Sequence, residues 1–338
     1  MLTKFLLTLA LTTSLFAASG NLEIYWIDAE GGAATLIVSP SGESLLVDTA
    51  NRGPEDRDAK RIFQTAQLAG LTKIDTLVTT HFHGDHIGAM PALAKLIPII
   101  KYMDHGPSVE LNRPNVAAQY KVYEELVAGK RTILKAGDKI PLKGVNVEVV
   151  ASAGNAITKA LKGAGQKNPA CADFKEHAPE TDPDNDQSVG IKLTYGKFDF
   201  LDMGDLTWNY EQKLVCPSNL IGQVDLYQTT HHGLDRSNSP QFIWAIHPTV
   251  AVMNNGARKG GPASVFETLR KSPGLQDIWQ GHLALATPKE TNTDEKMIAN
   301  MEQGAEDKAN LIKASVDPKG KFTITNLRNN YSKTYDSK

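Results

Sequence analysis

The chain has 338 residues, 41% of them hydrophobic, and a formal net charge of -2, the profile of an ordinary globular protein with enough apolar chain for one large or two small domains. Its 36 basic residues are scattered, apart from small clusters such as Lys159 to Lys167. That excludes a broad electrostatic surface for nucleic acid.

The first segment, "MLTKFLLTLALTTSLFAASG", sets Lys4 before an apolar run from Phe5 to Ala18 that ends in small residues. It reads as a secretory signal peptide over residues 1–19, which makes the protein exported, periplasmic or secreted. The run is short for a membrane span of roughly 20 residues, and no later stretch is long enough, so no span is expected after signal removal. Residues 20–338 are then expected to form a single domain. Its start, "LEIYWID", "ATLIVSP" and "SLLVDTA", alternates strand and turn signals, which suits a hairpin-rich sheet. "DAKRIFQTAQLAGL" predicts a helix stopped by Gly70, "IDTLVTT" a short buried strand, and "AMPALAKLI" another helix.

Gly154 to Gln187 is rich in Gly, Asn, Pro and acids and reads as a long loop or insertion, a length usual for functional lids or disordered segments. Further on, "VNVEVVAS", "SVGIKLTYGKFDFLDMGD", "VDLYQTTHHG" and "PTVAVMNNG" read as strands, while "SVFETLRKS" and "EKMIANMEQ" read as helices. Strands in both halves with helices between them predict an α/β protein, two sheets packed together with helices outside. Cys171 and Cys216 can form one disulfide in an exported protein, and the sequence leaves open whether they meet. Lying 45 residues apart with no Cys or His pair beside them, they do not suit a structural zinc site.

The chemistry concentrates in "THFHGDHIGA". Neutral imidazole and carboxylate are ligand types for zinc and related first-row metals, and His81 and His83, one residue apart on an extended segment, can point to one side. Asp85 and His86 follow one turn on, able to hold a second metal, with Gly84 easing the turn. Four such ligands within six residues form a pattern for two metals rather than one.

This motif resembles the hallmark of the metallo-β-lactamase-fold hydrolases, and the resemblance runs from about residue 22 to 290. "LLVDTA", with Asp48, is similar to the superfamily's early structural aspartate. "FLDMGDL", with Asp205, resembles the aspartate that bridges two metals, and "TTHHG", with His231 and His232, resembles the double-His element of a subgroup. That subgroup is related to the hydrolase domain of competence DNA-uptake proteins and to phosphorylcholine esterases; "KAGDKI" and "DNDQSVGIKLTYG" point the same way. The resemblance implies an αββα sandwich and two divalent metal ions, zinc foremost, with manganese or iron as alternatives. His81, His83 and either His231 or His232 would hold one metal, Asp85, His86 and His282 the other, with Asp205 between them. Asp85 and Asp205 would serve catalysis by a hydroxide bridging the metals. The sequence departs from the pattern where most members place a histidine before the bridging aspartate: here stand Asn185, Asp186 and Ser188, and His177 reads as a solvated loop residue.

Beyond the metal ligands, His105 is a candidate for the pocket mouth or a plain turn residue, and Asp28 either orients a ligand or ends its strand. Asn255, Arg258 and Lys259, in the Gly-flexible "MNNGARKGG" beside Asn254, offer the donors a phosphate or oxyanion clamp needs, or form a solvated basic turn. Asp235, Ser237 and Ser239 are expected to cap a helix starting near Pro240. The expected function is metal-dependent hydrolysis of a phosphodiester or similar ester, the partner being a small molecule or phosphodiester. A lactone or β-lactam substrate, or a metal-stabilised binding protein without turnover, are the alternatives.

Overall fold

The computed structural model describes residues 20–338, so the expected signal peptide lies outside the described residues. In chain order, β1 (Leu22–Trp26), β2 (Thr35–Val38) and β3 (Ser44–Val47) form an antiparallel start to the first sheet. After α1 (Arg57–Leu68), the parallel strand β4 (Ile74–Val78) leads into α2 (Gly84–Ile87) and α3 (Met90–Leu96). Strand β5 (Ile99–Asp104), α4 (Pro114–Val127) and β6 (Arg131–Ile133) complete that half.

The second sheet begins with β7 (Asn146–Ser152) and β8 (Asn155–Ala156), then the hairpin of β9 (Gly190–Tyr195) and β10 (Phe198–Asp202). Helix α5 (Trp208–Val215), β11 (Leu226–Gln228), α6 (Pro240–Ile246), β12 (Val250–Met253), α7 (Ala263–Arg270), β13 (Asp277–His282) and β14 (Ile298–Asn300) follow, the strands from β10 onward all parallel. Finally β15 (Ile312–Val316), β16 (Lys321–Asn326) and β17 (Tyr331–Asp336) return to the first sheet, β15 pairing with β1. Among the described residues this gives a nine-stranded and an eight-stranded sheet.

The two sheets face each other across one apolar layer, where Ile24, Trp26 and Ile37 of the first meet Val149, Phe200, Val252 and Trp279 of the second. Completely buried, a side chain such as Phe200 contributes about 2–3 kcal/mol. Separate apolar layers hold α1, α3 and α4 on the outer face of the first sheet and α5, α6 and α7 on the outer face of the second. The architecture is therefore the two-sheet sandwich with outer helices that the strand and helix pattern implies.

One expected helix is a correction. "EKMIANMEQ" contains a single 3-10 turn at Glu295–Met297 and then β14, whose residues pair with β13 in the register Gln280 with Ile298 and His282 with Asn300. A three-residue strand buried throughout carries no alternation to separate it from a helix face. The long segment 154–187 is ordered by specific ties: Cys171 and Cys216 form a disulfide with Cα atoms 5.7 Å apart, and the Asn168 amide donates to the Gln241 carbonyl at 2.9 Å.

Candidate metal centre

Strand order brings the pieces of the site together. Strands β3 and β4 are parallel neighbours, so Asp48, just past β3, and Thr80, just past β4, leave the sheet side by side. The Asp48 carboxylate accepts from the Thr80 backbone N–H at 2.8 Å, from the Thr80 hydroxyl at 2.7 Å and from His86 Nδ1 at 2.7 Å. Asp48 holds this position at φ +62°, a left-handed conformation that is costly for a residue with a Cβ. With Nδ1 engaged as donor, the other nitrogen of His86, Nε2, is the one turned toward the cluster, and it makes no hydrogen bond although buried.

The second sheet contributes from the ends of β10 and β11. Asp205 follows β10 with its N–H on the Ser188 hydroxyl at 3.2 Å, and His231 and His232 follow β11 at φ +57° and +55°. Two successive left-handed residues turn both imidazoles toward Asp205, at a cost of order 1–3 kcal/mol each. Asp205 Oδ2 then lies 3.2 Å from His86 Nε2, 3.3 Å from His231 Nε2, 3.5 Å from His232 Nε2 and 4.0 Å from His81 Nε2. Asp85 Oδ2 approaches two of the same atoms, His232 Nε2 at 3.3 Å and His86 Nε2 at 3.5 Å. Asp85, His86, Asp205 and His232 thus offer four ligand atoms all within 4.8 Å of one another.

The protonation states of His81, His231, Asp205 and Asp85 suit ligation. Burial, with His86 and His83 nearby, holds the His81 pKa well below the usual histidine value; burial and the neighbouring His232 take His231 down to about 4 against the pull of Asp205. Burial opposes ionisation of Asp205, yet His231, His86 and His232 hold its carboxyl well below the usual range, and His86 and His232 do the same for Asp85 against its burial. Burial also works against an imidazolium at His86, but Asp205, Asp48 and Asp85 around it outweigh that and raise its pKa. A proton at this point is where the fold places a cation between carboxylates. A divalent ion fits the donor set: His86 Nε2 and both ring nitrogens of His232 are buried without a hydrogen bond, which is costly unless something else satisfies them.

Residues 27–154, which contain the His-rich motif, match the family model described as the metallo-beta-lactamase superfamily. Recombination protein 2 of Haemophilus influenzae is 26% identical over 232 residues, 68% of this chain and 24% of that protein. A UPF0173 metal-dependent hydrolase of Cupriavidus taiwanensis is 39% identical over 82 residues, 23% of this chain and 25% of that protein. The chain therefore spans about a quarter of the length of these curated relatives. Among solved structures, the metallo-beta-lactamase fold protein YhfI from Bacillus subtilis aligns with 78% of this chain and 96% of its own at TM-score 0.45 and 10% identity.

The expected ligands divide unevenly. His81, His83, Asp85, His86, Asp205, His231 and His232 converge, and it is His232 that joins Asp85 and His86. His282 is a correction: it lies at the end of β13 with Nε2 2.6 Å from Asp28 Oδ1, grouped with Asp28 and Asp307 rather than with Asp85. Arg61 bridges the two aspartates of that group, at 2.9 Å from Asp28 and 2.8 Å from Asp307. Asp28 accordingly serves His282, not a residue of the main cluster.

The substrate candidates also separate. His105 is a correction to the pocket-mouth reading: it is buried behind the motif, its ring 4.8 Å from Phe82 and its Nε2 3.5 Å from Asp184. Asn255 spends its amide on the carbonyls of Gly256 and His282, and the exposed Arg258 reaches Gln303, so neither faces the cluster. Lys259 does, pairing its ammonium with Asp85. Its loop lies so close that a Cβ on Gly260, at φ +79°, would sit 1.9 Å from the His232 carbonyl oxygen, and a Cβ on Gly31, at φ +98°, would sit 3.0 Å from the Lys259 Cβ. Ser239 caps α6 as expected, accepting from the Phe242 N–H, whereas the Ser237 hydroxyl donates to the Leu206 carbonyl and lies 3.3 Å from His231 Nδ1.

Two buried carboxylates have no counterpart among the sequence candidates. Glu110 stands 3.3 Å from His83 Nε2 and accepts from the Asp184 N–H at 3.1 Å. Asp184 in turn accepts from the N–H groups of Phe82 and Val109, tying the long loop to the motif. Glu110 carries no signal in the sequence; Asp184 does, as part of the acid run "DPDND" beside the departure at Ser188, whose hydroxyl lies 3.5 Å from His81 Nδ1.

Proposed function

We propose that the chain is an exported hydrolase acting on a phosphodiester, with zinc as the metal and Asp205 between two metal positions. The observation that supports it most is the single carboxylate oxygen of Asp205 facing Nε2 of four histidines, with Asp85 opposite. Asp85, His86, Asp205 and His232 would hold one ion, and His81, His83 and His231 would approach the other side of Asp205. A divalent metal bound there supplies water that ionises near neutral pH and a positive charge that polarises the scissile bond.

The chain's own residues do the rest. Asp48 keeps His86 in the tautomer that exposes Nε2, and Glu110 does the equivalent for His83. Lys259, on its glycine-lined loop, pairs with Asp85, and with Asp85 on a metal its ammonium would be free for the oxygens of an anionic phosphoryl group, which favours a phosphodiester over a neutral lactone. The name "metal-dependent hydrolase" carried by relatives in Cupriavidus supports the reaction class.

The test is metal analysis of the purified protein beside a screen of bis(4-nitrophenyl) phosphate, a lactone and a cephalosporin. Phosphodiester turnover that chelation removes and zinc restores is expected. Preference for the lactone or cephalosporin redirects the substrate class, and bound metal with no turnover of any of the three favours a binding protein.

A further inference from the structure

A cavity of about 400 Å³ opens between the long loop and helices α5 and α6. Its walls are the rings of Phe174, His177, Trp208 and Trp244 with Pro240. Both indole N–H groups are already used, Trp208 Nε1 on the Ser237 carbonyl at 2.6 Å and Trp244 Nε1 on the Thr268 carbonyl at 3.1 Å. What the two tryptophans can offer an occupant is therefore ring surface rather than donors.

The loop wall is built rather than loose. The Cys171–Cys216 disulfide fastens it to the end of α5, and Asn168 fastens it to α6. Beyond Phe174, the Asn209 side chain accepts from the His177 N–H and donates to the His177 carbonyl, both at 2.9 Å, setting the His177 ring 4.2 Å from that of Trp208. Rings held in place lose little freedom when another ring joins them.

One wall of the cavity is tied to the reaction centre through the chain and its hydrogen bonds. Trp208 stands three residues after Asp205, and Ser237, whose carbonyl receives the Trp208 indole, holds its hydroxyl 3.3 Å from His231 Nδ1. At the rim Lys175 offsets Asp173, so no net negative charge favours a quaternary ammonium. We infer that this cavity, fixed in place by the disulfide and Asn209, binds a planar heteroaromatic ring, the nucleobase of a nucleoside phosphodiester whose phosphoryl group lies at the metal centre. The inference rests on the phosphodiester reading for the second half of that statement, and the ring site stands independently of it.

Equilibrium dialysis of the full chain with labelled adenosine, which contains no phosphorus, separates the two. Saturable binding is expected, unchanged by chelation. It should weaken about tenfold in Phe174→Ala and stay within about twofold in Phe174→Tyr, the variant that keeps the ring should Phe174→Ala not fold. No saturable adenosine binding, binding of labelled choline as tight as adenosine, or a Phe174→Ala protein that folds and binds as the parent does would each overturn the site. A chain that binds adenosine but hydrolyses no phosphodiester upholds the ring site and overturns the hydrolase reading alone.

Discussion

At the scale of single residues, the carboxylate of Asp48 is the clearest case of a side chain acting through another. It accepts three hydrogen bonds at once, two from Thr80 and one from His86, and it does so at a strained φ of +62°. An asparagine there has one acceptor oxygen where both carboxylate oxygens are used, so either Thr80 or His86 loses its partner. Asp48→Asn is therefore expected to weaken metal binding 10- to 100-fold while the fold persists, measured by competition with a chromophoric chelator. Unchanged affinity would show that His86 needs no orienting partner. The motif residues and Asp48 were legible because ligand chemistry restricts residue type and crowds it into a short run. Glu110 was not, because a lone glutamate in a loop becomes a partner of His83 only once α4 and the segment before it pack beside the motif. His282 was misplaced for the opposite reason: a histidine at a strand end is chemically able to ligate, and only the fold places Asp28 2.6 Å from it.

Elements carry the next level of argument. The turn that presents His231 and His232 is framed by α5 and α6, and Glu211 on α5 joins them, accepting from the N–H groups of Asn238 at 2.7 Å and Ser239 at 2.9 Å. Burial pushes the Glu211 carboxyl up from 4.5 to about 7, against those N–H groups, which favour the charged form. A carboxyl whose folded pKa is raised holds more protons folded than unfolded between those two values. Its contribution is fully present below pH 4.5 and is lost as the pH rises through about 7. The stability of the parent minus that of Glu211→Gln should therefore fall across this window by on the order of 3 kcal/mol. Urea unfolding at several pH values reads it, and a difference that stays flat would contradict the buried proton. Strands with strong β-branched runs, such as β4 and β12, were legible from sequence. The short β14 was not, and nothing in the motif pattern points to β15, β16 and β17 closing the edge of the first sheet on β1, since long-range pairing leaves no local mark.

For the molecule as a whole, the candidate centre is a junction. His81, His83, Asp85 and His86 leave the first sheet, Asp205, His231 and His232 leave the second, and the apolar layer between the sheets fixes how far apart the two groups stand. The sandwich itself was readable from strands and helices alternating in both halves, whereas the meeting point of the ligands depends on strand order, which composition does not encode. An ion held between the sheets links them, and binding to the folded state alone raises its stability. The most direct test is the metal content of parent and Asp205→Ala protein after dialysis against equal zinc, with circular dichroism confirming that both are folded. The parent should retain stoichiometric metal and the variant should lose it, together with any hydrolysis of bis(4-nitrophenyl) phosphate. A folded Asp205→Ala protein that keeps the parent's metal and activity would contradict the claim that Asp205 is the point on which the two halves of the site converge.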